Sequence, residues 1–383
     1  MSQPSATKEV SIIAKGSVKF GFDLFNKVLN PEENAIFSSY SVASVLSMAS
    51  MGAKGNTLKE LKEVLNLPDD DQVLKTAYSI ISSVTKSDEN IKLEIANGIF
   101  PSTQVDLNQQ FLNDSRKYFL SEVEATNFMD TDAAIKKLNK WVSNKAHDKI
   151  MDMFAEGSID PYTVSVLVNA IYFKGNWVEK FDSTLTSNKP FYVSPNKTVQ
   201  VPTMFKDMEF ASEYVEDLKC TICALPYQGE RMTMYILLPK ERFGLPDVEA
   251  KLSSDAFDPS ILDKITRKDE KPLHLPKFKI ESTHDIKAGL ELQGVSDLFN
   301  RTCDLSGVAG APGDIYVSKV IQKAMIEVNE EGSEAAAATA MQMVPCCLII
   351  KEPVVVDHPF AFMIKDNSTG LILFSGRVVN PLC

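Results

Sequence analysis

Apolar residues in the first third of the chain recur at helical spacing. Val10, Ile13, Ala14, Ser17, Phe20, Gly21, Leu24, Phe25 and Val28 share one face and predict an amphipathic helix over 10–28. Over 34–43 a short strand then runs into a helix over 41–51 with Ser41 as its cap; small residues on most of its faces suit deep burial. Thr57-Leu58-Lys59-Glu60 has the capping-box pattern and opens a helix through Leu65. Residues 69–86 predict another, with Val73, Ala77, Ile80, Ile81 and Val84 on one side. Helices are also predicted over 108–120 and 133–151, the second gathering Ile135, Leu138, Trp141 and Val142 on one face.

Further on the period shortens. Residues 93–100 alternate as a half-buried strand does, and 163–173 form a continuous apolar run rich in β-branched side chains, which predicts a central strand. The stretch 191–239 is mostly β, with a hairpin signal at Tyr227-Gln228-Gly229. A short helix over 247–252, a strand over 273–280 and a helix over 282–292 follow. Ile315-Tyr316-Val317, 324–328 and 353–356 are β-like, and 360–364 and 371–379 make a hairpin across Asn367-Ser368-Thr369-Gly370. No repeat or linker divides the chain. Helices first and strands later favour one interwoven α+β domain over 1–383.

One segment between β-like runs fits neither period cleanly. Glu330-Glu331-Gly332-Ser333-Glu334-Ala335-Ala336-Ala337-Ala338-Thr339-Ala340 is helical by composition. As a strand it places Ser333, Ala335, Ala337 and Thr339 on one face, all small, and Glu334, Ala336, Ala338 and Ala340 on the other. Such a strip can enter a packed sheet without a clash, with Gly332 as a hinge.

Val328 through Thr339 resembles the reactive-centre-loop hinge of the serpins, the serine protease inhibitor family, and Val354 through Phe362 resembles the family's C-terminal signature. Val168 through Trp177, Leu225-Pro226-Tyr227-Gln228-Gly229, Leu275-Pro276-Lys277-Phe278 and Asp304-Leu305-Ser306-Gly307 match in the expected order. The resemblance covers nearly the whole chain and is to an arthropod-like, intracellular-type member. It implies a single-domain fold of about nine helices and three β-sheets, with an exposed loop over about 330–353. It also implies a hinge of Glu330, Gly332, Ser333, Glu334, Ala335, Ala336, Ala337, Ala338 and Thr339. Trp177, Lys277 and Glu330 would form a breach at the top of the main sheet, Glu330 and Lys277 as an ion pair. Ser38, Ser41, Asn169 and Gln322 would form a shutter beneath it. Ser39 stands where proline is common, and Gln322 where many members have histidine, which argues against pH sensitivity there.

The activity implied is suicide-substrate inhibition: a protease attacks the loop, the segment 332–345 inserts into the main sheet, and the acyl-enzyme is trapped. The family's usual spacing from the hinge glycine lands on Cys346, giving Cys346-Cys347 as the reactive bond, with Cys347 and Met343 as neighbouring alternatives. Cys346 is small and apolar, and no Arg or Lys follows until Lys351. This favours serine proteases of the elastase, subtilisin or chymotrypsin kind over trypsin-like ones, with papain-like cysteine proteases as an alternative target. A non-inhibitory carrier or chaperone is the other alternative.

Composition narrows the picture. The net charge of −11 argues against a general nucleic-acid or polyanion binder. The helix over 69–86 lacks a basic stripe, so no heparin cofactor is expected; nor is any other cofactor or metal. Four histidines and no Gly-x-Ser-x-Gly, P-loop or His-Glu-x-x-His pattern argue against an enzyme. The six cysteines do not form a disulfide framework: Cys220 and Cys223, three apart on a strand, point to opposite faces. No apolar run is long enough to span a membrane, and the N-terminus lacks a signal-peptide core. The expectation is a cytoplasmic monomer, able to polymerise when destabilised, or an extracellular one if a signal has been removed. Asn113, Asn196, Asn300 and Asn367 head sequons that matter only in the second case.

Overall fold

The computed structural model describes residues 7–254, 256–330 and 352–383. Thr7 caps α1 (Lys8–Val28) by accepting the Val10 N–H. There follow β1 (Ala35–Phe37), α2 (Ser39–Ser50), α3 (Gly55–Leu65), α4 (Asp71–Val84), β2 (Ile91–Pro101), α5 (Gln109–Phe119), β3 (Glu122–Val123), α6 (Thr131–Lys145) and β4 (Ser165–Gly175). The β-rich part contains β5 (Ser187–Ser194), β6 (Lys197–Val215), β7 (Cys220–Pro226), β8 (Met232–Pro239), α7 (Leu245–Leu252), β9 (Lys268–Pro276), β10 (Phe278–Asp285), α8 (Lys287–Leu292) and β11 (Lys319–Val328). β12 (Val354–Val355), β13 (Phe360–Asp366) and β14 (Ile372–Val378) complete it, with 3-10 turns at Ser183–Leu185, Pro259–Lys264 and Asp297–Phe299.

Among the described residues the strands form two hydrogen-bonded networks. The smaller has the order β10-β11-β4-β2-β3; the larger runs β1-β14-β13-β8-β7-β6-β9-β12, with β5 also on β6. The long β6 joins two parts of the larger network, pairing with β5 through its first residues and with β7 through its last. Among the described residues there are thus two networks, the larger in two parts joined by β6, which roughly matches the three sheets expected, beside eight α-helices and three 3-10 turns.

All twelve residues of α2 are buried, as its small side chains predict. Close approach requires them: a Cβ on Gly21 of α1 would stand 1.7 Å from Ser39 Oγ. Among the described residues, no helix is long and apolar enough to cross a membrane.

Several boundaries differ from expectation. α2 begins at Ser39, and its cap is Ser38, whose Oγ accepts the Ser41 N–H; Ser41 lies inside the helix. Thr57 is also inside its helix. Its Oγ1 accepts the Asp304 N–H, and Glu60 accepts the Ser296 and Asp297 N–H groups, so both supposed capping side chains serve a distant segment. α6 ends at Lys145, before His147 and Asp148 turn left-handed at φ 47° and 60°. The single strand over 273–280 is two strands in different networks, divided at Lys277. The helix over 282–292 is shorter, because β10 continues to Asp285 with Ser282 buried and accepting the Ile36 N–H. Ile315 and Val317 alternate inward but belong to no strand.

Candidate functional site

In the smaller sheet β11 and β4 run parallel, in register from Lys319 opposite Val166 to Ile326 opposite Phe173. This seam leads at its C-terminal end to Asn329 and Glu330. The segment 331–351 lies outside the described residues, and with it Gly332, Ser333, Glu334, Ala335, Ala336, Ala337, Ala338, Thr339, Cys346 and Cys347.

A polar rung crosses the middle of the seam. β2 sets Asn97 opposite Asn169 of β4, and β11 sets Gln322 opposite Asn169. The Gln322 amide clasps the backbone of Ser38: its Oε1 accepts the Ser38 N–H at 3.1 Å and its Nε2 donates to the Ser38 carbonyl at 3.0 Å. The same Nε2 donates to Asn169 Oδ1 at 2.6 Å, and Asn169 Nδ2 donates to Ser41 Oγ and to Asn97 Oδ1. Asn97 Nδ2 reaches Ser44 Oγ at 3.4 Å. All of these groups are buried, and within this network each amide finds partners. Parting β4 from β11 breaks the Gln322–Asn169 bond. Sequence reasoning did not single out Asn97; the signal was an amide inside an apolar strand.

The upper end of the seam is charged and lies at the surface. Lys277 Nζ stands 2.7 Å from Glu330 Oε2, and Thr186 Oγ1 donates to Glu330 Oε1 at 2.7 Å. Burial alone would raise the Glu330 carboxyl. The hydrogen bonds from Lys277 and Thr186 outweigh it and hold its pKa below the ordinary value. Trp177 donates Nε1–H to the Asn329 carbonyl at 2.9 Å and stacks on Tyr227 with ring centroids 4.4 Å apart. The Phe181 N–H donates to the Glu330 carbonyl at 3.0 Å. A second pair, Lys174 on β4 with Glu327 on β11 at 3.7 Å, bridges the seam itself. Neither Thr186 nor this second pair is legible in the sequence.

α6 covers the sheet's other face. Trp141 packs edge-on against Phe100 of β2 at 5.0 Å. From β11, the buried Lys323 donates to the Met151 carbonyl at 2.6 Å and pairs with Glu281 at 2.6 Å, so the chain after α6 is tied across to β11. Of the histidines, His358 bonds Asp357 and the Pro239 carbonyl. Burial pushes the thiols of Cys220, Cys223 and Cys303 up to about 12, which leaves them unreactive near neutrality. Among the described residues no His, Cys, Asp and Glu cluster could hold a metal.

The family model described as serpin (serine protease inhibitor) matches residues 15–381. The human leukocyte elastase inhibitor is 37% identical over 381 residues, covering 96% of this chain and 99% of the relative. Among solved structures, a highly specific serpin of the insect Tenebrio molitor is 30% identical with a TM-score of 0.84, covering 97% of this chain and 98% of that one. Uncleaved ovalbumin is 27% identical with a TM-score of 0.86, covering 96% of this chain and 100% of that one. The family model and these relatives, matched along nearly the whole chain, place it in the serpin family.

Proposed function

We propose that this chain is a suicide-substrate inhibitor of serine proteases. The observation that carries the reading is the direction of β11 and β4. Because they are parallel, a chain that leaves the end of β11 and folds back into the seam runs antiparallel to both. Insertion then exchanges one parallel ladder for two antiparallel ladders, and antiparallel pairing is slightly the more stable per residue. The inserted residues gain backbone partners along β4 and β11. Ser333, Ala335, Ala337 and Thr339 supply the small inward face that the packed seam demands.

The chemistry belongs to the target. Its serine oxygen adds to the Cys346 carbonyl carbon, the Cys347 amine leaves, and an ester holds the two proteins together. Insertion of 332–345 carries the protease away and distorts it before water can cleave the ester. The apolar residues before the bond, and the similarity to a leukocyte elastase inhibitor, favour a protease with an apolar primary pocket. Incubation with elastase, subtilisin, chymotrypsin, trypsin and papain is expected to give SDS-stable adducts with one or more of the first three. Loop-nicked chain is expected to melt well above intact chain. No adduct with any of the five, together with equal melting temperatures, would refute the proposal.

A further inference from the structure

We propose that a cavity of about 410 Å³ beside the top of the seam is a binding site for a small amphiphile with an apolar body and a cationic head. Its volume lies within the range of small-molecule sites. Trp177, Phe181, Phe210, Leu225, Tyr235 and Leu262 supply the apolar and aromatic lining. These side chains come from β6, β7, β8, the 177–181 segment and the 3-10 turn at Pro259–Lys264, so the cavity is walled by separate elements and not by one mobile loop.

The charge among the lining residues is one-sided. Four carboxylates, Glu179, Glu209, Glu230 and Asp263, face one ammonium, Lys268. Lys206 holds Glu179 at 2.7 Å and Lys365 holds Asp263. Glu209 and Glu230 make no ion pair among the described residues, and Glu209 stands opposite Glu270 in the β6–β9 register. With two of the four carboxylates already paired, Glu209 and Glu230 remain against Lys268, and an ammonium complements that remaining charge where a carboxylate does not.

The site also touches the loop's base. Trp177 forms part of the lining while its Nε1–H holds the Asn329 carbonyl, and Phe181, another lining residue, holds Glu330 through its backbone. Occupancy is therefore readable as a change in Trp177 emission. Binding itself does not depend on the inhibitor reading.

The test uses intact chain carrying Trp141→Phe, which leaves Trp177 as its sole tryptophan. It is titrated with 4-phenylbutylamine, 4-phenylbutanol and 4-phenylbutyrate at pH 7. The amine is expected to quench or shift the emission saturably and to bind about tenfold more tightly than the carboxylate, an energy of the size that one screened charge contact supplies. Ala224→Phe, on the lining, should abolish binding. Glu209→Gln with Glu230→Gln, both at exposed positions, should erase the preference for the amine while the alcohol still binds. Failure of all three probes to saturate, equal binding of amine and carboxylate, or a charge preference that survives the double glutamine variant would overturn the proposal.

Discussion

The same seam is held in two different ways at its middle and at its upper end. At the middle, Gln322, Asn169, Asn97, Ser41 and Ser38 are neutral and buried. At the end, Lys277 and Glu330 are charged; Glu330 is itself buried, while the Lys277 side chain keeps 38% of its exposure. Neutral amides away from water depend on every partner being present, because an orphaned donor or acceptor has nowhere else to go. A rim ion pair is weaker and adjustable, since water, salt and protons compete with it. Opening such a seam from the charged end inward meets the adjustable contact first and the all-or-none contact second.

The largest expected effect is therefore in the middle. Gln322→Leu removes the partner of the Ser38 N–H and the donor to Asn169 Oδ1, while the Ser38 carbonyl keeps the Val42 N–H, at a cost of about 2–5 kcal/mol. Urea unfolding would measure it, and a loss below about 1 kcal/mol would mean that water already serves the Ser38 groups. Gln322→His sharpens the same point. A neutral imidazole has one donor and one acceptor, fewer than the three bonds Gln322 makes. Protonation in this buried site is disfavoured, so the variant's folded pKa falls below its unfolded value. Its stability should then drop more steeply as pH falls below about 6.5 than that of the Gln322 chain, whose own decline there comes from His284.

How much of this was legible without coordinates depended on whether neighbours in sequence or in space decide the matter. Amphipathic periodicity found α1, α4 and α5 because the buried face is a local property of the helix. The capping box at Thr57 misled because Thr57 and Glu60 bond residues 296, 297 and 304, which no local pattern announces. Ile315 and Val317 alternate because both are buried, and burial without ladder pairing gives the same alternation as a strand. The break at Lys277 was missed although the inward phase slips there, from Leu273 and Leu275 to Phe278 and Ile280, as the chain passes from one network to the other. At the seam, motif resemblance named Glu330 and Lys277 together and Ser38, Ser41, Asn169 and Gln322 together, and the structure places each set in contact. Asn97 escaped because its partner Asn169 lies 72 positions away.

A middle-sized effect is expected from Glu330→Lys, which sets two ammonium groups where a 2.7 Å ion pair stood. Glu330 is buried while Lys277 opens to solvent, so the loss should lie between that of a surface pair and that of a buried one, about 1–3 kcal/mol. The consequence should be visible beyond the melting curve: mild heating followed by native electrophoresis is expected to give ladders of loop-linked polymers. A variant that stays monomeric under those conditions would show that the upper end does not restrain the seam.

The smallest effect should come from protons alone, and two groups with opposite charges share its sign. His284, opposite Gln322 across β10 and β11, has its pKa lowered below 6.5, first by burial and then by Arg377. The folded chain thus resists protonating it, and stability contributed above pH 6.5 declines as pH falls through the lowered value. Glu330 also has a depressed pKa, below 4.5, so its contribution is present above 4.5 and declines as pH falls through its own folded value. The melting temperature should therefore fall on acidification, with His284 and His274 contributing at the higher pH and Glu330, beside Glu122, Asp182 and Asp258, at the lower. Glu330→Gln keeps an acceptor for Thr186 and Lys277 but cannot titrate, so it should make the lower decline smaller, leave the upper one, and cost about 0.5–1 kcal/mol at pH 7. High salt at pH 7 should reproduce part of that cost in the parent and almost none in the variant, because screening weakens an ion pair whose Lys277 end is open to solvent and leaves the amide rung intact.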